Sequence, residues 1–153
     1  MFFNTLYLMS NRSDNIFVMF NSSGAIDYLS VGDFDTAKVV TDDAQAKTTV
    51  GTPGYCSPEI LRSHNVVAYG FASDIWSYGM VLYELMTLTR PFATSNLFAV
   101  TELTIKGEHP PLPKEVESIF YNVIPVWKKC LQLDPAKRPT AKEIKHMLLT
   151  LME

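Results

Sequence analysis

Two residues with oxygen-bearing side chains stand at the same end of a predicted β-hairpin. Asn15 begins a run rich in β-branched and aromatic residues (15–20), and Asp33 follows a second such run (25–31). The turn formers at 21–24 separate the runs, so strand, turn, strand is predicted and the two side chains can meet. Amide and carboxylate oxygens are hard donors that suit magnesium. Both residue types are also common in turns, so the local sequence leaves both interpretations open.

A polar loop is predicted directly after the hairpin. It lies between Asp33-Phe34-Asp35 and the run from Gly51 to Glu59, and residues 40–50 in its middle are polar and rich in threonine. This composition is typical of a mobile surface loop rather than of a core element. We therefore expect the chain to be organised around residues 33–59, a loop that is fixed at both ends.

A buried helix is predicted further along the chain. Residues 74–86 are apolar on nearly every face of a helix, Ser73 suits the N-cap, and Asp74 lies in the first turn, where the helix dipole favours a carboxylate. Residues 90–92, Arg-Pro-Phe, are expected to end it. A helix without a broad polar face belongs in the interior, so this one should form the centre of a helical domain.

Three more helices are predicted in the C-terminal half. The first covers residues 95–106, and the second, residues 125–132, has Pro125 in its first turn. The third begins at a capping box, in which Thr140 and Glu143 each satisfy a free backbone amide. The predicted fold class is therefore mainly α with a small β-hairpin (α+β).

Composition restricts the classes of function. The chain has 153 residues, 47% apolar and 19% charged, which is ordinary for one soluble domain. A net charge of −3 argues against nucleic acid as a partner. Cys56 and Cys130 lack metal-ligand spacing and are expected to be reduced thiols in a cytoplasmic protein. Residues 1–10 are apolar but too short to span a bilayer and have no basic start, so no membrane or targeting segment is predicted.

Several motifs, taken in order and with their spacing, resemble those of the protein kinase family. The resemblance covers the chain from about residue 12 and implies the C-terminal (large) lobe of a kinase domain, with the N-terminal lobe missing. The motifs are Ser13-Asp14-Asn15-Ile16-Phe17-Val18, Gly32-Asp33-Phe34, Gly51-Thr52-Pro53-Gly54-Tyr55 with Ser57-Pro58-Glu59, Asp74-Ile75-Trp76-Ser77-Tyr78-Gly79, Leu133-Asp134-Pro135 and Arg138-Pro139-Thr140.

The resemblance implies a site for ATP and Mg²⁺ in a complete kinase domain. Asp33 stands where the family keeps the aspartate that bridges ATP phosphates through magnesium, and Asn15 stands where it keeps the second metal ligand. Thr48 and Thr49 stand where a loop phosphate would act, although they are equally plausible as ordinary loop residues. The protein substrate would dock on Gly51, Thr52, Pro53, Gly54 and Tyr55, in the serine/threonine-specific form of that stretch.

Two structural roles are also implied by the resemblance. Glu59 and Arg138 align with the ion pair that ties the end of the activation segment to the helical base; otherwise they would be solvated surface charges. Asp74 aligns with the carboxylate that accepts hydrogen bonds from backbone amides of the catalytic loop. Otherwise it is an acidic residue in the first turn of the helix with no such role.

The catalytic loop departs from the family pattern. Counting back from Asn15, the family's His-Arg-Asp falls on Leu8-Met9-Ser10, so Ser10 stands at the position of the base. An alcohol cannot accept the substrate proton as a carboxylate does. Arg12 stands where serine/threonine kinases have a lysine, and Asp35 replaces a glycine. No Gly-rich loop with a strand lysine, helix glutamate or hinge is found in the sequence, so no intact catalytic set is predicted.

The predicted domain organisation is one partial protein kinase domain over residues 1–153. Its parts are a divergent start at about 1–12, a metal-site hairpin at 13–34, the activation segment at 33–59 and a helical subdomain at 60–153.

The predicted function is that of a protein serine/threonine kinase by family, with protein substrates and with the isolated chain inactive. The alternatives are a pseudokinase-like interaction module and a non-functional truncated remnant. The run at 74–79 resembles the tyrosine-kinase-like group, and the long hairpin is similar to that of Roco-type members.

Overall fold

The elements run from two small β-ladders to a set of helices. The computed structural model describes residues 6–7, 12–32, 38–39, 52–62, 70–93 and 96–152. Strands β1 (Leu6–Tyr7) and β4 (Lys38–Val39) form one antiparallel pair, and β2 (Ile16–Phe20) and β3 (Ile26–Val31) form the other. Six α-helices lie within the described residues: α1 (Pro58–Arg62), α2 (Phe71–Thr87), α3 (Leu97–Ile105), α4 (Lys114–Ile119), α5 (Ile124–Cys130) and α6 (Ala141–Thr150). The predicted fold class is confirmed.

The β2–β3 hairpin forms because its turn satisfies its own backbone. The Asn21 side-chain oxygen accepts from the amides of Ser23 and Ala25, each at 3.0 Å, and Gly24 takes a left-handed φ of 79°. Ile16 pairs with Val31 at the open end of the ladder. Nearly all side chains of both strands are exposed, so the hairpin buries little apolar surface of its own.

Helix α2 is the buried centre that the sequence predicts. Ten of its seventeen residues are buried, and Trp76 and Met80 are fully so. The prediction that Ser73 is its N-cap is wrong, because the helix begins at Phe71 after Gly70. Ser73 lies inside the first turn, where its hydroxyl donates to Glu59 at 2.9 Å, a tertiary contact that a local capping rule cannot foresee. The helix ends at Thr87 with Leu88 in the left-handed conformation, before the predicted Arg-Pro-Phe stop.

The other predicted helices lie within one or two residues of their expected limits. Helix α3 is capped by Asn96, whose side chain accepts from the Ala99 amide at 3.1 Å, and Pro125 lies in the first turn of α5. The capping box of α6 is present, with the Thr140 amide donating to Glu143 at 2.7 Å. The two short helices α1 and α4 were not predicted.

Two apolar clusters hold the helices together. The larger one joins α2 to Tyr55, Trp127 and Leu131, and the smaller one consists of Ile75, Val126, Cys130 and Ile144. Cys130 and Cys56 are both buried free thiols. No helix among the described residues has the length and apolar character to cross a membrane.

Gly79 lets α2 and α5 approach closely. A Cβ atom at this position would lie 2.7 Å from Leu131 Cδ2 and 3.0 Å from Cys130 Cβ. The glycine therefore costs some helix propensity but permits the contact on which both clusters depend.

Candidate functional site

The open end of the hairpin positions Asn15. Asn15 ends a short 3₁₀ turn, Ser13–Asn15, and is buried, and its carbonyl accepts from the Gly32 amide at 2.9 Å. Gly32 precedes Asp33, which lies outside the described residues together with Ser10, Asp35, Thr48, Thr49 and Gly51. Of the two residues predicted to bind magnesium, the structure therefore describes Asn15, whose amide oxygen is a donor that fits the ion.

Charged side chains connect the turn that contains Asn15 to the segment that follows α2. The Asp14 carboxylate lies 3.8 Å from an Arg12 guanidinium nitrogen and 3.4 Å from one of Arg90. These side chains are largely or partly exposed, so the two pairs contribute little to stability. Arg12, at the position where the family has a lysine, thus has an acidic neighbour in Asp14.

The predicted docking stretch is attached to α2 at two points. The Tyr55 hydroxyl donates to Glu84 at 2.6 Å, and the Ser77 hydroxyl donates to the Tyr55 carbonyl at 2.8 Å. Burial and the hydrogen bond to Glu84 raise the pKa of Tyr55, so the phenol stays a neutral donor. The backbone carbonyl of Thr52 accepts a hydrogen bond from the Tyr55 amide at 3.1 Å. Gly54 takes a left-handed φ of 95° and lies beside Pro91. The turn is therefore shaped by the glycine and held by the helix.

Sequence reasoning missed Glu84 and Ser77. Both lie on α2, which was interpreted as apolar on nearly every face. A carboxylate that interrupts such a helix is itself a signal, because burying it requires a hydrogen-bond donor from another part of the chain. Tyr55 is that donor.

Glu59 and Arg138, which are 79 residues apart in sequence, form a bidentate ion pair. Two guanidinium nitrogens of Arg138 donate to the two carboxylate oxygens of Glu59, at 2.7 and 2.9 Å. The same guanidinium donates to the carbonyls of Ala72 and Gln132, both at 2.8 Å, and lies 5.1 Å from the Trp76 ring centroid. The Arg138 side chain is 0% exposed and that of Glu59 is 21% exposed. The pair fixes the start of α1 against α2 and the turn before α6.

Opposing effects set the pKa of Glu59. Burial alone would raise it, but the hydrogen bonds and positive charge of Arg138 outweigh burial and hold it below the ordinary value of 4.5. The carboxylate is therefore ionised at neutral pH, as the pairing requires.

Asp74 lies in the first turn of α2 and is half-buried. It lines a groove of about 440 Å³ with Tyr78 of α2 and Ile144 and Leu148 of α6. Residues 8–11, which include most of the catalytic-loop positions that Asp74 was predicted to contact, lie outside the described residues. Its anchoring role therefore stays a prediction.

A hairpin-end asparagine, a docking turn attached to a buried helix and a Glu–Arg pair that closes the following segment are together typical of the large lobe of a kinase-like domain. Comparison with known families agrees, since the model described as "Protein kinase domain" matches residues 12–149. The chain belongs to the protein kinase domain family.

Of three curated relatives of the chain, two are serine/threonine-protein kinases by name and the third is named as a kinase. The chain is 40% identical over 118 residues to "Probable serine/threonine-protein kinase nek3" of Dictyostelium discoideum. The matched region covers 76% of the chain and 10% of that relative. It is 40% identical over 119 residues to "Serine/threonine-protein kinase Nek9" of Xenopus laevis, covering 76% and 12%. A third, "Kinase and exchange factor for Rac B" of Dictyostelium discoideum, is 30% identical over 146 residues, covering 93% and 13%. The chain thus spans only about a tenth of the length of these relatives.

Proposed function

We propose that the chain is the large-lobe part of a serine/threonine protein kinase, in which the γ-phosphoryl group of ATP passes to a serine or threonine of a protein. The observation that carries this proposal is the anchoring of residues 52–59, by Tyr55 to Glu84 at one end and by Glu59 to Arg138 at the other. Such a turn presents a fixed surface to an extended peptide. The relatives named as serine/threonine kinases support the same substrate class.

Each proposed site residue has one task. Asn15 and Asp33 would hold magnesium, which when bound neutralises charge on the ATP phosphates. Gly51 to Tyr55 would align the substrate peptide, with Thr52 nearest the catalytic loop, and Asp74 would fix that loop to α2. Thr48 and Thr49 are the proposed phosphorylation sites. A cytoplasmic location is proposed with these roles, as is the division into start, hairpin, activation segment and helical subdomain.

The position of the catalytic base is the one that we expect to limit phosphoryl transfer. Ser10 stands where the family has an aspartate, and a hydroxyl can neither accept the substrate proton readily nor orient it by charge. We therefore expect the 153-residue chain to show no phosphoryl transfer by itself.

The subgroup supported by the relatives is Nek-like, because two of the three relatives described above carry that name. The alternative assignment, to the tyrosine-kinase-like group with a Roco-type hairpin, is supported by the sequence runs at 74–79 and 15–33 alone.

A pseudokinase-like interaction module is the second candidate function, favoured by Ser10. A chimera separates the two. The chain from Ser10 onwards is joined to the upstream part of the Dictyostelium nek3 kinase domain, once with Ser10 and once with Ser10→Asp, and transfer of labelled phosphate to a generic protein substrate is measured for both forms. An active chimera that loses activity on Asn15→Ala supports the kinase proposal. A folded but inactive chimera that does not bind magnesium-ATP supports the interaction module instead.

A further inference from the structure

Positive charge is concentrated in one stretch of an acidic chain. Residues 128–146 contain six of the 13 lysines and arginines but two of the 16 acidic residues. This stretch therefore carries four surplus positive charges, although the whole chain has a net charge of −3. The remainder of the chain, at −7 by difference, is strongly acidic.

The fold gathers these charges around a groove. An open groove of about 1050 Å³ runs between the end of α5, the 3₁₀ turn Pro135–Lys137 and α6 up to Met147. The lysines Lys129, Lys137 and Lys142 line it together with His146, and all four side chains are exposed.

The groove keeps a surplus of positive charge. Within the described part of the chain, no ion pair includes Lys129, Lys137 or Lys142. Among the described residues that line the groove, Glu143 is the one acid; its carboxylate accepts from the amide and hydroxyl of Thr140 and also attracts the Lys129 ammonium, so one negative charge faces three lysines. Arg138 is occupied by Glu59 and backbone carbonyls. A surplus of positive charge therefore faces solvent and is available to a ligand.

The groove also has an apolar element. Met147 lines it, and its sulfur lies 3.8 Å from the Lys129 ammonium. A methionine side chain adapts its shape and accepts apolar groups of different outline. A ligand that combines carboxylates with an apolar side chain therefore matches the lining.

We propose that this groove is a docking site for an acidic peptide segment of a partner protein, with an apolar residue placed against Met147. A short peptide feels mainly charges within about 8 Å at physiological ionic strength, so it senses the groove rather than the acidic remainder. An extended polyanion such as nucleic acid, or an anionic membrane, would also meet that remainder and be repelled. The proposal does not depend on phosphoryl transfer, since the groove lies outside the residues assigned to catalysis.

The test measures binding of short fluorescent peptides to the 153-residue chain by anisotropy. One peptide alternates glutamate with leucine, and the control peptide has glutamine in place of glutamate. Binding of the acidic peptide that weakens as salt is raised is expected, with little binding of the control. Replacing all three groove lysines (Lys129→Gln, Lys137→Gln and Lys142→Gln) is expected to weaken binding about thirty-fold, roughly three-fold for each charge.

A matched variant removes the same charge elsewhere. Arg62→Gln, Lys106→Gln and Lys114→Gln change exposed basic residues that lie outside residues 128–146 and do not line the groove, and they should leave affinity within about two-fold of the original. Equal loss in both triple variants, or no binding of the acidic peptide, would overturn the proposal. Tighter binding of a single-stranded oligonucleotide or of phosphatidylserine vesicles than of the peptide would also overturn it. Thermal unfolding of each variant guards against loss of fold, and Lys142→Arg, which keeps the charge, should retain binding.

Discussion

Arg138 shows how one buried cation can fix distant parts of a chain. Its guanidinium binds Glu59 through two nitrogens and also satisfies two carbonyls, and its side chain is fully shielded from solvent. The planar fork of arginine suits this arrangement, whereas a lysine could not reproduce it. The stability of the segment therefore depends on both partners being present.

Replacing Glu59 alone should be costly. Glu59→Leu leaves the Arg138 charge buried without its counter-charge, and we expect the free energy of unfolding to fall by about 3–5 kcal/mol. The double variant Glu59→Leu with Arg138→Met replaces both charges by apolar groups and should recover most of that loss. Urea unfolding of the three proteins measures both effects. A double variant no more stable than Glu59→Leu would show that the loss has another cause.

The same carboxylate makes stability depend on pH. The folded-state pKa of Glu59 lies below its ordinary value of 4.5, so the carboxylate contributes stability above that value and loses it as pH falls through the lower folded pKa. We expect the free energy of unfolding to drop in acid more steeply in the original chain than in Glu59→Gln. The difference between the two urea-unfolding series isolates Glu59 from other carboxylates such as Glu143. Parallel pH series would contradict the assignment.

Sequence reasoning works best where residues interact with near neighbours. The Thr140–Glu143 capping box was predicted because both partners lie within one helical turn. Ser73 was assigned wrongly because its partner, Glu59, is 14 residues away and was not visible to a local rule. The Tyr55–Glu84 contact, across 29 residues, was missed for the same reason.

At the scale of elements, the long helix and the hairpin were predictable, whereas α1 and α4 were not. Helix α2 has a strong signal because its seventeen residues are mostly apolar. Helix α4 has six residues, none of them buried, and α1 has five. Such short helices depend on tertiary packing rather than on propensity, since nucleation is unfavourable for so few residues.

Gly79 offers a test of the packing between α2 and α5. Gly79→Ala would add about 1 kcal/mol of helix propensity. The new methyl group would also collide with Leu131 and Cys130, so we expect net destabilisation of about 1–3 kcal/mol. Leu85→Ala on the same helix, at a side chain that is 62% exposed, is the control and should change stability by less than about 0.5 kcal/mol. Stabilisation by Gly79→Ala in thermal unfolding would mean that α5 can move away without cost.

At the scale of the whole molecule, the β2–β3 hairpin leaves an unusual amount of apolar surface in contact with water. Phe20 and Leu29 are 63% and 61% exposed, and other exposed members of the two strands are Phe17, Val18, Met19, Ile26, Tyr28 and Val31. A two-stranded hairpin gains little stability by itself, and contiguous apolar surface favours association.

Polar replacements on the hairpin should therefore change surface behaviour rather than stability. Phe20→Ser with Leu29→Ser is expected to reduce the fluorescence of a bound hydrophobic dye while shifting the free energy of unfolding by less than about 0.5 kcal/mol. Leu85→Ser, which changes a single exposed leucine of α2 outside the hairpin, should leave dye binding nearly unchanged. Unchanged dye binding in the hairpin variant would show that this surface is covered in solution.

The alkylation rates of the two buried thiols can report local unfolding. Burial raises the pKa of Cys56 to about 11 and that of Cys130 to about 12, and only the thiolate reacts with an alkylating agent. Each cysteine is therefore modified only during moments when its surroundings open, so the modification rate reports how often that happens. Cys56 lies in the segment closed by Glu59 and Arg138, whereas Cys130 lies in the cluster with Ile144. Glu59→Leu should accelerate alkylation of Cys56 more than that of Cys130 in mass spectrometry if the segment opens separately, and both equally if the molecule opens as one unit.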